Sequence, residues 1–155
     1  MKVLAKNKRA YYNYEILEKI EAGISLIGQE VKAIKSGKVS LAGSYVLFRE
    51  STKGGTPEVF LIGANIPPYQ PKNAPPHYNP QRPRKLLLRK SEIKSLIGKR
   101  QQKGLTFVPL RLYTKKGLIK LEFGIAKGKK KADKREQIKK REVEREIQRL
   151  LKMRG

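Results

Sequence analysis

The 155-residue chain has no cysteine, no tryptophan and a single histidine, and only 13 acidic residues stand against 37 basic ones. Without cysteine there are no disulfides, no thiolate chemistry and no cysteine-type zinc site. His77 lies between prolines and Tyr78 and has no second histidine to join it at a metal. A lone histidine of this kind reads as structural or as a surface hydrogen-bonder. Glu15, Glu18 and Glu21 lie among bases without a metal-site pattern. Gly54-Gly55 is not a phosphate loop, and Gly128-Lys129 lacks the glycine spacing and hydroxyl of one. No stretch approaches the roughly 18 apolar residues of a membrane span, and residues 1–9 lack the apolar run of a signal peptide. These gaps leave no enzyme constellation, no metal or cofactor site and no small-molecule substrate. They lead to the expectation of a cytoplasmic, non-membrane protein.

Positive charge is what the chain has in excess. The formal net charge is +24 and the sequence pI is about 10.4. Residues 127–155 hold 13 Lys+Arg and 5 Asp+Glu, a net of +8, so residues 1–126 carry the remaining +16. Both parts face a polyanion or tolerate strong self-repulsion. Binding driven by counterion release is steeply salt-sensitive. The hydrophobic share of 38% and charged share of 32% fit one modest core under a heavily charged exterior. The expected organisation is a binding domain over residues 1–126 and a basic tail over 127–155.

Residues 14–20 alternate as a first strand, and Glu21-Ala22-Gly23 is expected to break it. Ile27, Val31 and Ile34 form a helical stripe that Ser36-Gly37 stops. Two β-like runs follow, residues 44–49 and 58–66, separated by a loop with Gly54-Gly55. Residues 67–83 hold seven of the nine prolines and are expected to cross the surface, outside any sheet interior or helix. Residues 84–100 read as a basic segment leading into a helix, with Ser91 as its cap and Ile93, Leu96 and Ile97 as its stripe. Residues 105–113 and 118–126 make a hairpin. Four or five antiparallel strands with two short helices suggest a small closed barrel of the oligonucleotide-binding type.

Three segments carry the binding signal, and each has a plainer reading. Asn7, Lys8, Arg9, Tyr11 and Tyr14 interleave cations with rings able to stack on unpaired bases; equally, Tyr12 or Tyr14 is core and the rest a frayed start. Arg84, Lys85, Arg89 and Lys90 flank the run Leu86-Leu87-Leu88, which either presents a backbone-gripping edge or anchors the next helix. In the tail, residues 128–135 have almost nothing to bury. Val143, Ile147, Leu150 and Leu151 form a thin apolar stripe on a better helix former. That stripe suits a segment that becomes helical against RNA or a ribosomal surface; the plainer reading is a helix packed on the body.

The motifs Asn7-Lys8-Arg9-Ala10, Glu21-Ala22-Gly23-Ile24, Glu30-Val31-Lys32, Arg84-Lys85-Leu86-Leu87-Leu88, Ala126-Lys127-Gly128-Lys129-Lys130 and Asp133-Lys134-Arg135 occur in this order. Together they resemble the SsrA-binding protein (SmpB) family, partners of transfer-messenger RNA in bacteria. The resemblance implies an oligonucleotide-binding-type β-barrel with a basic C-terminal tail that is helical when bound. It implies binding to the transfer-RNA-like domain of that RNA and delivery to stalled ribosomes for trans-translation. Asn7, Glu21 and Leu87 match positions tied to RNA binding, with Lys8, Arg9, Tyr11, Tyr14, Lys85 and Lys127 beside them. Gly128, Lys129, Lys130, Asp133, Lys134 and Arg135 match the start of a tail that enters the message channel near the decoding centre; Leu150 and Leu151 match an apolar pair near its end. Ala132 stands where some members carry a histidine or an aromatic residue, and Val143 where some carry tryptophan. A general RNA chaperone or ribosomal protein, a nuclease and a peripheral membrane protein are the competing classes. The last lacks tryptophan and phenylalanine anchors in its tail.

Overall fold

A computed structural model describes the chain apart from residues 52, 130 and 155, and apart from the side chains of residues 131–137 and 152–154. Seven strands form one antiparallel sheet: β1 (Lys2–Lys6), β2 (Tyr14–Ile24), β3 (Tyr45–Arg49), β4 (Glu58–Ile62), β5 (Arg84–Leu87), β6 (Leu105–Lys115) and β7 (Leu118–Gly128). The helices are α1 (Lys8–Asn13), α2 (Gly28–Lys35), α3 (Lys90–Arg100) and α4 (Lys131–Arg154). The strand order is β1-β6-β7-β2-β5-β4-β3. The antiparallel β architecture is the expected one, with more strands than expected. The sheet curls rather than closing by a ladder. Phe48 of β3 meets Phe107 of β6 at 5.2 Å between ring centroids, yet β1 and β3 end the hydrogen-bonded order.

The core follows from alternation. Ile119, Leu121, Phe123 and Ile125 of β7 point inward, as do Val59 and Leu61 of β4, while Lys120 and Lys85 sit on the other face. α2 closes one side of this core with Ala33 and Ile34, and α3 adds Ile93 and Leu96. A smaller cluster of Ala10, Val108, Leu110 and Ala126 seats α1 on β6 and β7.

Several expectations are corrected. Glu21-Ala22-Gly23 does not interrupt β2, which continues to Ile24 because Gly23 and Ile24 pair with Leu87 and Leu86. A loop-like dipeptide is overridden when both flanking strands offer ladder partners. Residues 1–13 are not a frayed start. β1 pairs with β6, and α1 follows immediately. β4 ends at Ile62, and Asn65 makes only an isolated bridge to Ser40. The cap of α3 is Arg89 rather than Ser91: Glu92 reaches back to accept the Arg89 N–H at 3.0 Å, so the helix starts earlier.

β6 carries Pro109 inside a central strand, a position where the missing N–H breaks a ladder. The register slips between Pro109 and Arg111, so the proline sits at a bulge. Asn7 completes the pairing there: its backbone N–H donates to Leu110 O at 2.7 Å and its Nδ2 to Pro109 O at 2.9 Å. The β6–β7 hairpin turns on Lys116 (φ 51°) and Gly117 (φ 78°). Two left-handed residues in a two-residue loop are the twist-matched hairpin turn, which favours Asn-Gly. Lys116→Asn should therefore raise stability by about 0.5–1 kcal/mol, read as a shift in the urea midpoint.

The proline-rich segment is an ordered surface crossing, with a single 3-10 turn at Pro71–Asn73. It is pinned from below by a buried charge cluster. Glu30 and Arg84 have fully buried side chains and pair directly. Arg84 Nε donates to Glu30 Oε2 at 2.8 Å, and its Nη1 donates to Ala64 O at 2.8 Å. Arg82 pairs with the same carboxylate, and the Tyr78 hydroxyl lies between two acceptors, Ile66 O at 2.7 Å and Glu30 Oε2 at 3.1 Å, with one hydrogen to share. Glu30 also accepts the Ile27 N–H at the start of α2. Burial pushes this carboxyl up, but the Arg82 bond, the Ile27 N–H and Arg84 outweigh it and hold it below the ordinary glutamate range.

Candidate nucleic-acid interface

β2 and β5 meet in a short ladder, and the outward face of that meeting is a cleft of about 730 Å³. Glu18, Lys19 and Glu21 of β2, Leu87 at the end of β5, Arg89 and Glu92 at the start of α3, and Lys120 of β7 line it. Period-two alternation puts Lys19, Glu21 and Gly23 on this face and Ala22 in the core. Glu21 and Leu87, far apart in sequence, are thus brought to one cleft.

Glu21 is built into its place. It accepts a hydrogen bond from the Tyr113 hydroxyl and two longer ones from Lys115 Nζ at 3.3 and 3.4 Å. The Tyr113 bond holds its carboxyl below the usual range, and Lys115 adds to the effect. Tyr113 is only 2% exposed. Burial, together with the Glu21 bond, pushes its hydroxyl well above the usual tyrosine value, so it stays a donor. Directly opposite Glu21, Glu122 is held by Arg111 in a two-pronged pair at 3.1 Å for each bond. Arg111 in turn lies over the Tyr113 ring, 5.0 Å from its centroid. The carboxylate at the cleft is therefore ionised at neutral pH and oriented, with Lys115 and Lys120 as its cationic neighbours.

The same face runs on toward α1. Tyr11 takes Lys19 over its ring at 5.9 Å and Lys6 at 5.4 Å. The Tyr11 carbonyl accepts Lys129 Nζ at 2.8 Å, and Lys129 N–H donates to Asn13 O at 2.9 Å. The root of the tail is thus tied to the end of this face. A second cleft of about 360 Å³ gathers Asn7, Arg9, Tyr14 and Tyr45; it shares no residue with the first.

The other sequence candidates fall as follows. Lys8 and Arg9 are exposed on α1, and Asn7 is buried with its amide engaged at the bulge. Lys85 projects from β5 next to Leu87 and lies 3.9 Å from Glu58. Lys127 and Gly128 belong to β7, where they pair with Glu15 and Tyr14. Lys130 and the side chains of Asp133, Lys134 and Arg135 lie outside the described residues. Leu150 and Leu151 are exposed on α4, together with Ile138, Val143 and Ile147. The α4 side chains of residues 138–151 are exposed.

Sequence reasoning did not single out Lys19, Lys120, Arg111, Tyr113 or Tyr45. Lys120 and Arg111 were visible as outward positions of the hairpin. Nothing in the spacing showed that Tyr113, formally outward, is covered by Glu21 from a strand 92 residues away. Among the described residues there is no cluster of three or more His, Asp or Glu fit for a metal. No described helix is long and apolar enough to cross a membrane.

Known proteins resemble this chain over nearly its whole length. The family model described as SmpB protein matches residues 4–153. The SsrA-binding protein of Thermosipho africanus (strain TCF52B) is 49% identical over 98% of this chain and 98% of its own length. That of Trichormus variabilis (strain ATCC 29413 / PCC 7937) is 48% identical over 97% of this chain and 94% of its own. A solved chain from "tmRNA-SmpB: a journey to the center of the bacterial ribosome" superposes with a TM-score of 0.65 at 44% identity, covering 84% of this chain and 87% of that one. A family model that matches residues 4–153, and relatives 48–49% identical over nearly the whole chain, place this protein in the SmpB family.

Proposed function

We propose that this chain binds the transfer-RNA-like domain of transfer-messenger RNA and brings it to stalled ribosomes for trans-translation in the cytoplasm, acting as an adaptor and not as an enzyme. The observation that carries the reading is the ionised, oriented Glu21 inside a cleft of mixed charge, lined by Lys19, Arg89 and Lys120 together with Glu18 and Glu92. A site meant only for phosphate has no use for a carboxylate, since like charges repel. A site meant for folded RNA does. The lysines and arginine take backbone phosphates, and the carboxylate accepts from base N–H groups or a 2′-hydroxyl, which phosphate cannot offer. Leu87, 54% exposed beside it, supplies apolar contact. The relatives named above are SsrA-binding proteins, 48–49% identical over nearly the whole chain.

In this reading residues 1–126 are the RNA-binding unit, with Asn7, Arg9 and Tyr14 at the second cleft and Tyr11, Lys85 and Lys127 beside the first. The tail, from Gly128 and Lys129 through Lys130, Asp133, Lys134 and Arg135 to Leu150 and Leu151, probes the vacant message channel. A message still in the channel would clash with the tail, so emptiness is selected without chemistry.

The test is competition at physiological salt. Labelled transfer-messenger RNA should stay bound against an excess of bulk transfer RNA, while equal displacement by either RNA would make the protein a general RNA binder and refute the reading. Glu21→Gln keeps an acceptor for Tyr113 but adds an N–H and removes the charge. It should weaken binding by about tenfold, in line with roughly 1–3 kcal/mol for a good polar base contact. Unchanged affinity in a gel-shift titration would remove Glu21 from the interface. Binding should also fall steeply as salt rises, with a log–log slope of about −0.7 to −0.9 per phosphate neutralised.

A further inference from the structure

We propose that an apolar notch beside the Glu21 cleft receives one unstacked base of the bound RNA, held between Leu87 and Leu118; the inference rests on the RNA-binding reading and adds a subsite to it. The notch measures about 240 Å³, below the range of about 300–1,000 Å³ that drug-sized ligands fill. That size suits a single flat ring system. Ile24, Leu26 and Val31 line it, with Leu87 and Leu118 as its exposed members.

Leu118 is the first residue after the Lys116-Gly117 turn and is 61% exposed. A two-residue hairpin loop fixes it in space. A large, rigidly presented aliphatic side chain at the tip of so charged a surface is the kind of exposed apolar group that marks a contact. Gly23 joins the notch to the cleft. A Cβ there would lie 3.1 Å from the Leu87 Cβ; its absence keeps the two hollows open to each other. Gly23, Leu87 and Lys120 line both. A strand lying in the cleft therefore passes the mouth of the notch.

Charge chooses the occupant. Lys115, Lys116 and Lys120 lie in or beside the hairpin that forms one wall. They attract a polyanion and repel a second copy of this chain, which carries +24. An RNA strand brings both parts of what the site offers: phosphate for the lysines and, where a loop leaves a base unpaired, a flat apolar face for the leucines. Apart from Lys120 at its rim, the notch presents no polar side chain to a base edge. It reads a ring face and not base identity, as sequence-tolerant stacking platforms do.

The experiment uses the full-length protein and the transfer-RNA-like domain of transfer-messenger RNA, with 2-aminopurine placed in turn at each unpaired loop position. One position should respond to wild-type protein by a fluorescence change that Leu118→Ser abolishes while the other positions keep theirs. Leu118→Ser should weaken binding by about tenfold, and Leu118→Met should restore it to within about twofold. An RNA abasic at the responding position should lose the same factor with unaltered protein, a result independent of how any variant folds. Equal affinity of Leu118→Ser and wild type, or no loss with any abasic RNA, overturns the notch and leaves the RNA-binding function standing. Failure of wild-type protein to bind this RNA overturns that function and the notch with it. A dimer by sedimentation with Leu118 protected from solvent would give the notch to a second copy and equally refute the proposal.

Discussion

Glu30→Ala should lower folding stability by about 3–5 kcal/mol, the cost of leaving a buried charge unpaired. Arg84 is fully buried, and without Glu30 it keeps only Ala64 O and the Tyr78 hydroxyl as hydrogen-bond partners. Arg82 and Tyr78 lose the carboxylate as well, so the proline-rich crossing loses its pin and α2 loses the acceptor for Ile27 N–H. The melting temperature should fall by about 6–20 °C, taking about 2–4 °C per kcal/mol at this size. Removing an exposed partner such as Lys115 should cost under about 1 kcal/mol by comparison. Circular dichroism in urea measures both. A Glu30→Ala protein within about 1 kcal/mol of wild type would mean that water reaches the cluster and that the pairing is not what holds it.

The same cluster sets an acid limit. The Glu30 carboxyl is depressed in the folded state, so its stabilisation is complete above the unfolded value of about 4.3 and is lost as pH falls through the lower folded value. Stability of the wild type should fall with acid over that window. In Glu30→Gln, itself less stable, that dependence should be shallower. Parallel curves would assign the acid sensitivity to other carboxylates.

Neutralising Lys130, Lys131, Lys134 and Arg135 to glutamine should leave affinity for free transfer-messenger RNA within about twofold while cutting peptide tagging on stalled ribosomes by more than about tenfold. Lys129 is left in place because its Nζ holds the Tyr11 carbonyl and its loss would disturb the body. The described tail side chains, residues 138–151, are exposed and add nothing to the fold's core. The substitutions lie beyond β7, which ends at Gly128. The salt slope of ribosome binding should drop by about one for each cation that meets a phosphate. Parallel loss of RNA affinity and tagging would refute the separation of body and tail.

How legible the protein was varies by element. The β6–β7 hairpin was plain because Ile119, Leu121, Phe123 and Ile125 alternate along β7; the Pro109 bulge was not, and it puts Val108 and Leu110 in the smaller cluster with Ala10 while Leu112 joins the main core. α2 was plain because Ile34 recurs at helical spacing and Gly37 (φ 84°) ends the helix. β1 was hidden: in Lys2–Lys6 only Leu4 and Ala5 are partly buried, and the segment pairs along the edge that β6 offers. β5 was hidden inside a run of three leucines, of which Leu86 is buried, Leu88 half-buried and Leu87 exposed. At the site, Glu21 and Leu87 were singled out by family likeness. Their neighbours Lys19, Arg111, Tyr113 and Lys120 came into view only with the register.

By itself the sequence determined the class of partner. A charge of +24 calls for a polyanion. The alternation and the helical stripes determined a β body with short helices and a basic tail. Only the tertiary structure decided which charges act and which are spent internally. Glu21 and Glu30 are both glutamates among bases in the sequence. One faces a cleft with an ionised, oriented carboxylate; the other is sealed with Arg84 beneath a proline-rich loop. That difference arises from strands and loops 50 to 90 residues away in the chain. Pairwise register and burial, which no local pattern encodes, settle a side chain's dielectric surroundings.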